Sequence, residues 1–297
     1  MELWFIYAVG AAVFAALTTT LAKIGLKDVN SHLATAIRAM VVLVFAWIIV
    51  FSTNAQSGIW HIEGRTWVFL ILSGLSTGGA WLCFLRALQL GDVNRVVPID
   101  KSSTILTMLL AFIILREPFG LISIVGMTLM GLGTWLMLDL KKDKAEPSTD
   151  SDKPPKKRSW LLFAVLAAVF ASLVSIFGRI GVQDMDANLW TAIRTAVVVP
   201  VSWLMVFLTG KQKEVKTVNR KSWIFLILSG MATGGSWLFF YHALQIGNAS
   251  FVVPIDKLSI VLTMGFARLF LGERFSARTL VGLALLTIGT LLPVFLL

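Results

Sequence analysis

Apolar residues occupy ten runs of about twenty residues, and each run is long enough to cross the hydrocarbon core of a bilayer as a helix. Short polar stretches separate the runs, and one long polar segment lies between the fifth and the sixth. The predicted spans are residues 4–24, 33–52, 66–88, 94–115, 120–139, 160–180, 188–209, 222–244, 250–270 and 278–296. The pattern therefore predicts an all-α integral membrane protein with ten transmembrane helices.

The two halves of the chain repeat each other at an offset of 156 residues, since residues 66–108 and 222–264 are identical at 27 of 43 positions without a gap. Each half holds five spans, and because five is odd, the second half must begin on the opposite side of the membrane. We therefore predict two inverted-topology repeats, residues 1–140 and 160–297. The polar residues 141–159 between them are expected to form a solvated basic linker.

Composition excludes several classes of protein. The chain is 57% hydrophobic and 14% charged, whereas soluble domains are about a quarter charged. The net charge of +10 could suggest nucleic acid, but 12 of the 26 basic residues lie in residues 141–158 and 211–221, which we interpret as loops beside a membrane. One cysteine and three scattered histidines offer no disulfide and no metal-ligand spacing. We therefore predict no cofactor, no metal and no nucleic-acid partner.

The basic residues also predict an orientation. Loops on the side of the linker hold 16 Lys and Arg, and loops on the other side hold 2. The positive-inside rule then places the linker in the cytoplasm and both termini outside, in a prokaryotic cytoplasmic membrane. The first apolar run is expected to be a membrane helix and not a cleaved signal, because an equivalent run recurs in mid-chain.

Three segments resemble the EamA-type repeats of the drug/metabolite transporter superfamily: GGAWLCFLRALQLGDVNRVVPIDK, LREPFGLISIVGMTLMGLGTW and LGERFSARTLVGLALLTIGT. The resemblance covers nearly the whole chain except the linker, and it includes the Gly272-Glu273 pair before the last helix. The first repeat has Arg116-Glu117 there. The resemblance implies ten helices, a cavity lined by helices one to four and six to nine, and movement of small metabolites, commonly export. Members of this family usually have cytoplasmic termini, whereas the charge asymmetry of this chain predicts the opposite.

Charged and polar residues inside the spans are candidates for function, because a Lys, Arg or Asp at a helix centre costs roughly 2.5 to 3.5 kcal/mol on insertion scales. They fall into two layers at matched depths from opposite surfaces. The first layer is Lys23, Arg38, Arg86, Asp100 and Lys101, and the second is Arg179, Arg194, His242, Asp256 and Lys257. Both layers have more bases than acids, which favours an anionic or zwitterionic solute.

We predict that Arg38 pairs with Asp100, and Arg194 with Asp256, as exchangeable ion pairs that close one end of a pathway at a time. If protons drive transport, the two aspartates are the expected carriers, since they are the deep carboxylates of the spans.

Several of these residues have a structural alternative. Long side chains near helix ends can snorkel to the headgroups, and this interpretation applies to Lys23, Arg86, Arg179 and His242. Lys101 and Lys257 directly follow an aspartate, so on a regular helix they point about 100° away from it. One lysine in each half can therefore extend to the membrane interface instead of facing the pathway.

Two further pairs mark the middle of the pathway. Pro98 and Pro254 lie in a repeated VVPIDK motif and predict broken helices beside a binding site. The alternative is that each proline merely starts its helix.

Trp81 and Trp237 lie at mid-span, so interfacial belts do not explain them. They are predicted to line a cavity, with plain helix packing as the alternative. Glu117 and Glu273, each at the start of a helix, are expected to complement a helix dipole, with a role as coupling acids as the alternative.

The function predicted from these features is secondary transport of a small polar metabolite by alternating access, with export as the expected direction. A flippase for a phosphate-bearing lipid-linked substrate is the alternative within transport, and a membrane scaffold is a non-transporting one. No enzymatic role is predicted, because the sequence has no HExxH motif and no paired acid motif. The expected partners are a small-molecule substrate and the lipid bilayer, and we expect a monomer.

Overall fold

The chain folds into helices joined by short turns. The computed structural model describes residues 3–116, 120–138, 159–181, 185–246, 255 and 258–296, and all regular structure in these ranges is helical. The α-helices are α1 (Leu3–Gly25), α2 (Ser31–Ser52), α3 (Gly64–Leu90), α4 (Val93–Lys101), α5 (Ser103–Leu115), α6 (Leu121–Met137), α7 (Ser159–Gly181), α8 (Ala187–Leu208), α9 (Arg220–Ile246), α10 (Ser259–Leu271) and α11 (Ala277–Leu296). Short 3-10 helices, Ala55–His61 and Lys211–Thr217, follow α2 and α8. The predicted linker, residues 141–159, lies outside the described residues except for Ser159, which begins α7.

These helices account for the ten predicted spans. By length and composition, seven described segments can cross a membrane, and α4 with α5 forms one of them over Val93–Ile114. Three shorter apolar helices, Leu121–Met137, Ser259–Leu271 and Ala277–Leu292, supply the rest. Large apolar side chains such as Leu121 and Leu269 are exposed at the outer surface, as expected for a protein surrounded by lipid. The predicted all-α, ten-helix membrane fold is confirmed.

Equivalent residues of the two repeats adopt equivalent backbone conformations. Asn54 and Gly210, which end the turns after α2 and α8, both have left-handed backbone angles, with φ of 55° and 67°. Asn30 and Asp186 each cap the next helix by accepting a hydrogen bond from the backbone N–H two residues later. The sequence repeat is therefore also a repeat of local structure.

The main helix contacts join one repeat to the other. α1 packs against α9, α3 packs against α7, α2 against α8, and α6 against α11. Glycines allow the close approach: a Cβ on Gly79 would lie 3.1 Å from Phe170, and a Cβ on the equivalent Gly235 would lie 3.3 Å from Phe14. The repeats thus interlock, so residues from both halves meet in the interior.

The first repeat keeps the turn before its last helix although its glycine is missing. Gly272 has a φ of 68°, and Arg116 at the equivalent position has a φ of 53°. A residue with a side chain pays about 1 to 2 kcal/mol for this conformation. The shared geometry of the repeats is therefore maintained at Arg116 against its own steric preference.

The pair formed by α6 and α11 crosses with its backbones in contact. A Cβ on Gly133 would lie 2.6 Å from the carbonyl oxygen of Gly282, and a Cβ on Gly289 would lie 2.6 Å from the carbonyl oxygen of Gly126. Small residues at such crossings allow the van der Waals packing that holds helices together in lipid. These four glycines therefore fix the distance between the last helices of the two repeats.

Candidate functional site

The predicted arginines and mid-span tryptophans form one series of contacts between the repeats. The guanidinium carbon of Arg38 lies 5.6 Å from the centroid of the Trp81 ring, and that of Arg194 lies 5.6 Å from the Trp237 ring. The two indoles stack, with 6.2 Å between their centroids and 29° between their planes. These distances are within the ranges of cation–π and aromatic interactions. We call these four residues the central site.

The contact between Trp81 and Trp237 places both near the membrane midplane. In an inverted repeat, equivalent residues lie at equal depths measured from opposite surfaces. Two such residues can touch only where the two depths coincide, which is the middle of the bilayer. The central site therefore lies at the depth where transporters of this architecture hold their substrates.

Arg38 is buried and donates its hydrogen bonds to hydroxyl groups. The residue is 4% exposed, its Nε donates to Ser229 Oγ at 3.0 Å, and its Nη2 donates to Thr233 Oγ1 at 3.2 Å. Ser229 in turn donates to the carbonyl oxygen of Thr18 at 2.7 Å. These bonds tie α2, α9 and α1 together. In the described part of the chain no ion pair joins Arg38 to Asp100, so the pair predicted between them is not formed in this conformation.

The equivalent hydroxyls of the first repeat make different hydrogen bonds. At the offset of 156 residues, Ser73 and Thr77 are the equivalents of Ser229 and Thr233. Ser73 is 0% exposed, and its Oγ has no hydrogen-bond partner among the described residues. Thr77 donates to the carbonyl oxygen of Ser73 within its own helix. The two ends of the interior therefore differ, although their sequences match.

A small cavity adjoins the central site on the side of Trp237. Its volume is about 10 Å³, which holds about one water molecule. Residues of α2, α8 and α9 line it, including Ile49 and Asn188 together with Trp237. Small-molecule sites are roughly 300 to 1,000 Å³. This cavity must therefore expand before it can hold a metabolite.

The fourth span has a break in regular α-helix at Ser102, between α4 and α5. Pro98 is the sixth residue of α4 and not part of its first turn, so it removes the N–H that would bond the carbonyl of Asn94. Ser102, with φ of −67° and ψ of −8°, separates α4 from α5. Leu258, its equivalent before α10, has a φ of −63° and a ψ of −11°. The residue before the second helical segment thus has the same backbone conformation in both repeats, while Pro254 lies outside the described residues and the role predicted for the two prolines stays a prediction.

The other predicted site residues lie near helix ends or outside the described residues. Asp100 and Lys101 are half-buried at the end of α4, next to the break. Arg86 donates to Gln89 Oε1 at 2.6 Å, near the end of α3. His242 is exposed, with its ring 5.5 Å from the ring of Tyr7. Asp256 and Lys257 are outside the described residues, as is the side chain of Arg179. Their functional roles stay predictions.

Lys23 satisfies the end of a neighbouring helix. Its Nζ donates to the carbonyl oxygens of Leu88 and Gly91, at the C-terminal end of α3. Those carbonyls lack partners within the helix, and a cation complements the negative end of the helix dipole. In this structure Lys23 therefore bonds protein carbonyls at the end of a neighbouring helix.

Glu273 caps a helix of the other repeat. Its Oε1 accepts the N–H of Val93 at 2.8 Å, and its Oε2 accepts the N–H of Asn94 at 2.9 Å. Sequence reasoning predicts that this glutamate complements a helix dipole, but the natural candidate was α11, which follows it. The dipole it complements is that of α4 in the first repeat. The signal for this contact in the sequence was the Gly272-Glu273 pair, which does not identify its partner.

The surroundings of Glu273 raise the pKa of its carboxyl group. Burial raises the pKa of Glu273 above its ordinary value, and the nearby charge of Asp92 acts in the same direction. The hydrogen bonds from the backbone of Asn94 and Val93 and the charge of Lys23 act in the opposite direction, but burial outweighs them. Glu273 therefore binds a proton at a higher pH than an exposed glutamate does.

Comparison with known proteins identifies the class to which this architecture belongs. The EamA-like transporter family matches residues 2–139 and 158–295, one match for each repeat. The chain belongs to the EamA-like transporter family, and it is an integral membrane transporter. Membership in a transporter family agrees with the expectation that the chain is not an enzyme.

Two similar proteins match this chain over about the length of one repeat. An uncharacterized transporter in the cobO 3' region of Sinorhizobium sp. is 41% identical over 135 residues, which cover 46% of this chain and 96% of that protein. An uncharacterized protein of Methanocaldococcus jannaschii is 25% identical over 132 residues, or 44% of this chain and 93% of that protein. Both relatives are therefore about one repeat long.

One solved crystal structure shares the fold over nearly the whole length. It superposes with a TM-score of 0.61 at 14% sequence identity, and the match covers 97% of this chain and 96% of that one. At this identity the likeness concerns the fold alone.

Proposed function

We propose that this transporter carries a small anionic or zwitterionic metabolite across the cytoplasmic membrane by alternating access, with export as its direction. The observation that carries the proposal is the central site, in which each repeat contributes one arginine and one tryptophan at mid-depth. A guanidinium offers five N–H donors in a planar fork that matches a carboxylate or a phosphate. The stacked indoles offer an apolar wall beside these donors.

The surroundings of Arg38 support an anion as the ligand. Its hydrogen-bond acceptors are the neutral hydroxyls of Ser229 and Thr233, and its ring contact is the uncharged Trp81. None of these groups neutralises the guanidinium charge. A solute carboxylate or phosphate that reached Arg38 would therefore gain a charge-assisted hydrogen bond without displacing a protein carboxylate from those contacts.

The hydroxyls of Ser229 and Thr233 bond an arginine, whereas those of the equivalent Ser73 and Thr77 make different contacts. This difference supports alternating access. In the proposed cycle, the hydrogen bonds of Arg38 to Ser229 and Thr233 close the linker side. In the opposite conformation Arg194 bonds Ser73 and Thr77, whose hydroxyls are equivalent in sequence. Asp100 and Asp256 are proposed as exchangeable partners of the arginines during the transition and, if transport is coupled to protons, as their carriers.

A ligand screen on the purified transporter tests the proposal. Carboxylates, phosphates and zwitterionic amino acids should raise the melting temperature, because a ligand at 100 times its dissociation constant adds about 2.7 kcal/mol of apparent stability. Binding should also change the tryptophan fluorescence, since two indoles lie in the site. Stabilisation by organic cations alone would contradict an anionic or zwitterionic substrate. Stabilisation by phosphate-bearing lipids but not by water-soluble acids would favour a flippase.

We further propose that the protein lies in a prokaryotic cytoplasmic membrane as a monomer, with its linker in the cytoplasm and its termini outside. A cysteine at Ser148, in a variant with Cys83 replaced by serine, should resist a membrane-impermeant maleimide in intact cells and react after lysis. A cysteine at Ser57, which is exposed in the turn on the other side, is the matched control and should react in intact cells. The reverse labelling pattern would overturn the orientation.

A further inference from the structure

We propose that Glu273 is a proton-binding site on the linker side, and that its protonation state decides whether the first turn of α4 is held against the second repeat. The ligand is a proton from the aqueous phase. This inference goes beyond the proposed function, because Glu273 belongs neither to the central site nor to the aspartates proposed there as proton carriers.

The start of α4 depends on Glu273 for its hydrogen bonds. Asp92 is the residue before the helix, but its side chain makes no capping hydrogen bond. The N–H groups of Arg95 and Val96 donate to the carbonyl oxygen of Asp92, which leaves those of Val93 and Asn94 for Glu273. The anion that this helix end requires is therefore supplied by the loop between α10 and α11.

Water can reach the carboxylate. A cavity of about 320 Å³ lies beside it, lined mainly by polar residues that include Asp92, Arg95, Arg274 and Ser276. A cavity of that size with several polar groups holds many water molecules. Proton exchange between Glu273 and the aqueous phase on the linker side therefore has a route.

Among the residues that the structure describes, the charged groups around Glu273 come from three directions. Lys23 approaches from α1, Asp92 and Arg95 lie at the start of α4, and Arg274 follows Glu273 in its own loop. Arg95 is 9% exposed, and its Nε lies 3.7 Å from Asp92 Oδ2. Burial keeps the pKa of Glu273 above its ordinary value in spite of Lys23. Protonation is therefore reached at a milder pH than for an exposed glutamate.

Protonation should loosen this contact without unfolding the protein. A raised pKa means that the folded chain binds the proton more tightly than the unfolded chain, so Glu273 does not destabilise the fold as the pH falls through that value. A carboxylate accepts both N–H bonds, whereas a neutral carboxyl keeps one good acceptor and loses its charge. The hydrogen bonds from Val93 and Asn94 act to lower the pKa of Glu273, so protonation must in turn weaken these two bonds while the carboxyl stays buried and the fold persists.

Release of this turn affects the broken span. α4 carries Pro98 and Asp100, and it ends at the break at Ser102. With its first turn free, α4 can shift relative to α5 about that break. Proton binding at Glu273 would thus change the position of the segment that holds Asp100.

Hydrogen exchange of the intact protein in detergent tests this inference. The protection factors of the Val93 and Asn94 amides are measured between pH 7.5 and 4.5, with correction for the intrinsic exchange rate at each pH. In the wild type we expect protection to fall by about tenfold or more as the pH decreases, as expected for the loss of a charge-assisted hydrogen bond. In Glu273→Gln we expect protection that is low at every pH.

The matched control is Glu63→Gln. Glu63 is the residue before α3, it is exposed, and its side chain makes no capping hydrogen bond. Its removal should leave the protection of Val93 and Asn94 and its pH dependence unchanged. Wild-type protection that does not change with pH would overturn the proposal, as would wild-type protection in Glu273→Gln. The wild-type titration decides the matter even if the variant does not fold. Because no substrate is used, failure here leaves the proposed function untouched.

Discussion

Arg38→Ala and Arg194→Ala are each expected to reduce transport by about thirtyfold or more. Truncating one partner of a buried, hydrogen-bonded charge pair costs about 2 to 5 kcal/mol, and each 1.4 kcal/mol is a factor of ten. In the proposed function the partner is the acidic group of the solute, so the loss should fall on binding and flux. The measurement is uptake into proteoliposomes of the acid that gives the largest thermal shift, and the shift itself should disappear.

The control for the arginine variants is Arg278→Ala. Arg278 also lies over an indole, 4.8 Å from the centroid of Trp135, but both residues are exposed at the surface. Its removal should leave transport unchanged. The Arg38 and Arg194 variants should still reach the membrane and elute as folded protein. Wild-type flux in either variant would show that these arginines serve packing and not the solute.

Gly133→Ala is expected to destabilise the protein by about 2 kcal/mol or more. The added methyl would lie 2.5 Å from the backbone nitrogen of Leu286 and 2.6 Å from the carbonyl oxygen of Gly282. Backbone atoms cannot rotate away as a flexible side chain can, so α6 and α11 must separate. Overpacking typically costs about 1 to 3 kcal/mol, and more where the backbone has to move. The free energy of unfolding in one detergent measures the effect.

Gly131→Ala is the matched control on the same helix. A Cβ on Gly131 would meet nothing within 4 Å. Replacing a glycine in a helix by alanine stabilises by roughly 0.5 to 1 kcal/mol when the space is free. The two substitutions should therefore have opposite signs. Equal effects would show that the contact between α6 and α11 does not limit stability.

Hydropathy and the internal repeat were sufficient to predict the membrane class, the ten spans and their inversion. They also single out Arg38, Arg194, Trp81 and Trp237 as candidate site residues. Equivalent residues of an inverted repeat lie at matched depths, so a polar or bulky residue kept at mid-depth in both halves can be found from the chain alone. The VVPIDK motif predicts a helix break for a local reason, since proline lacks an N–H.

The partners of these residues were not predictable. Arg38 was expected to pair with Asp100, but it bonds Ser229 and Thr233, which lie 191 and 195 residues away along the chain. Lys23 and Glu273 both cap helix ends that belong to other parts of the sequence. Neither serine nor threonine stands out in an apolar run, because a hydroxyl can bond its own helix.

The sequence by itself therefore determined which segments cross the membrane, how the halves are related, and which residue types lie at mid-depth. The tertiary structure alone decided which helices are neighbours, that the repeats interlock through α1 with α9 and α3 with α7, and that the layers around Arg38 and Ser73 differ. The physical reason is that lipid is as apolar as leucine, so hydropathy fixes depth but gives no preference for one helix neighbour over another. That choice depends on glycine contacts and hydrogen bonds between residues far apart in the chain.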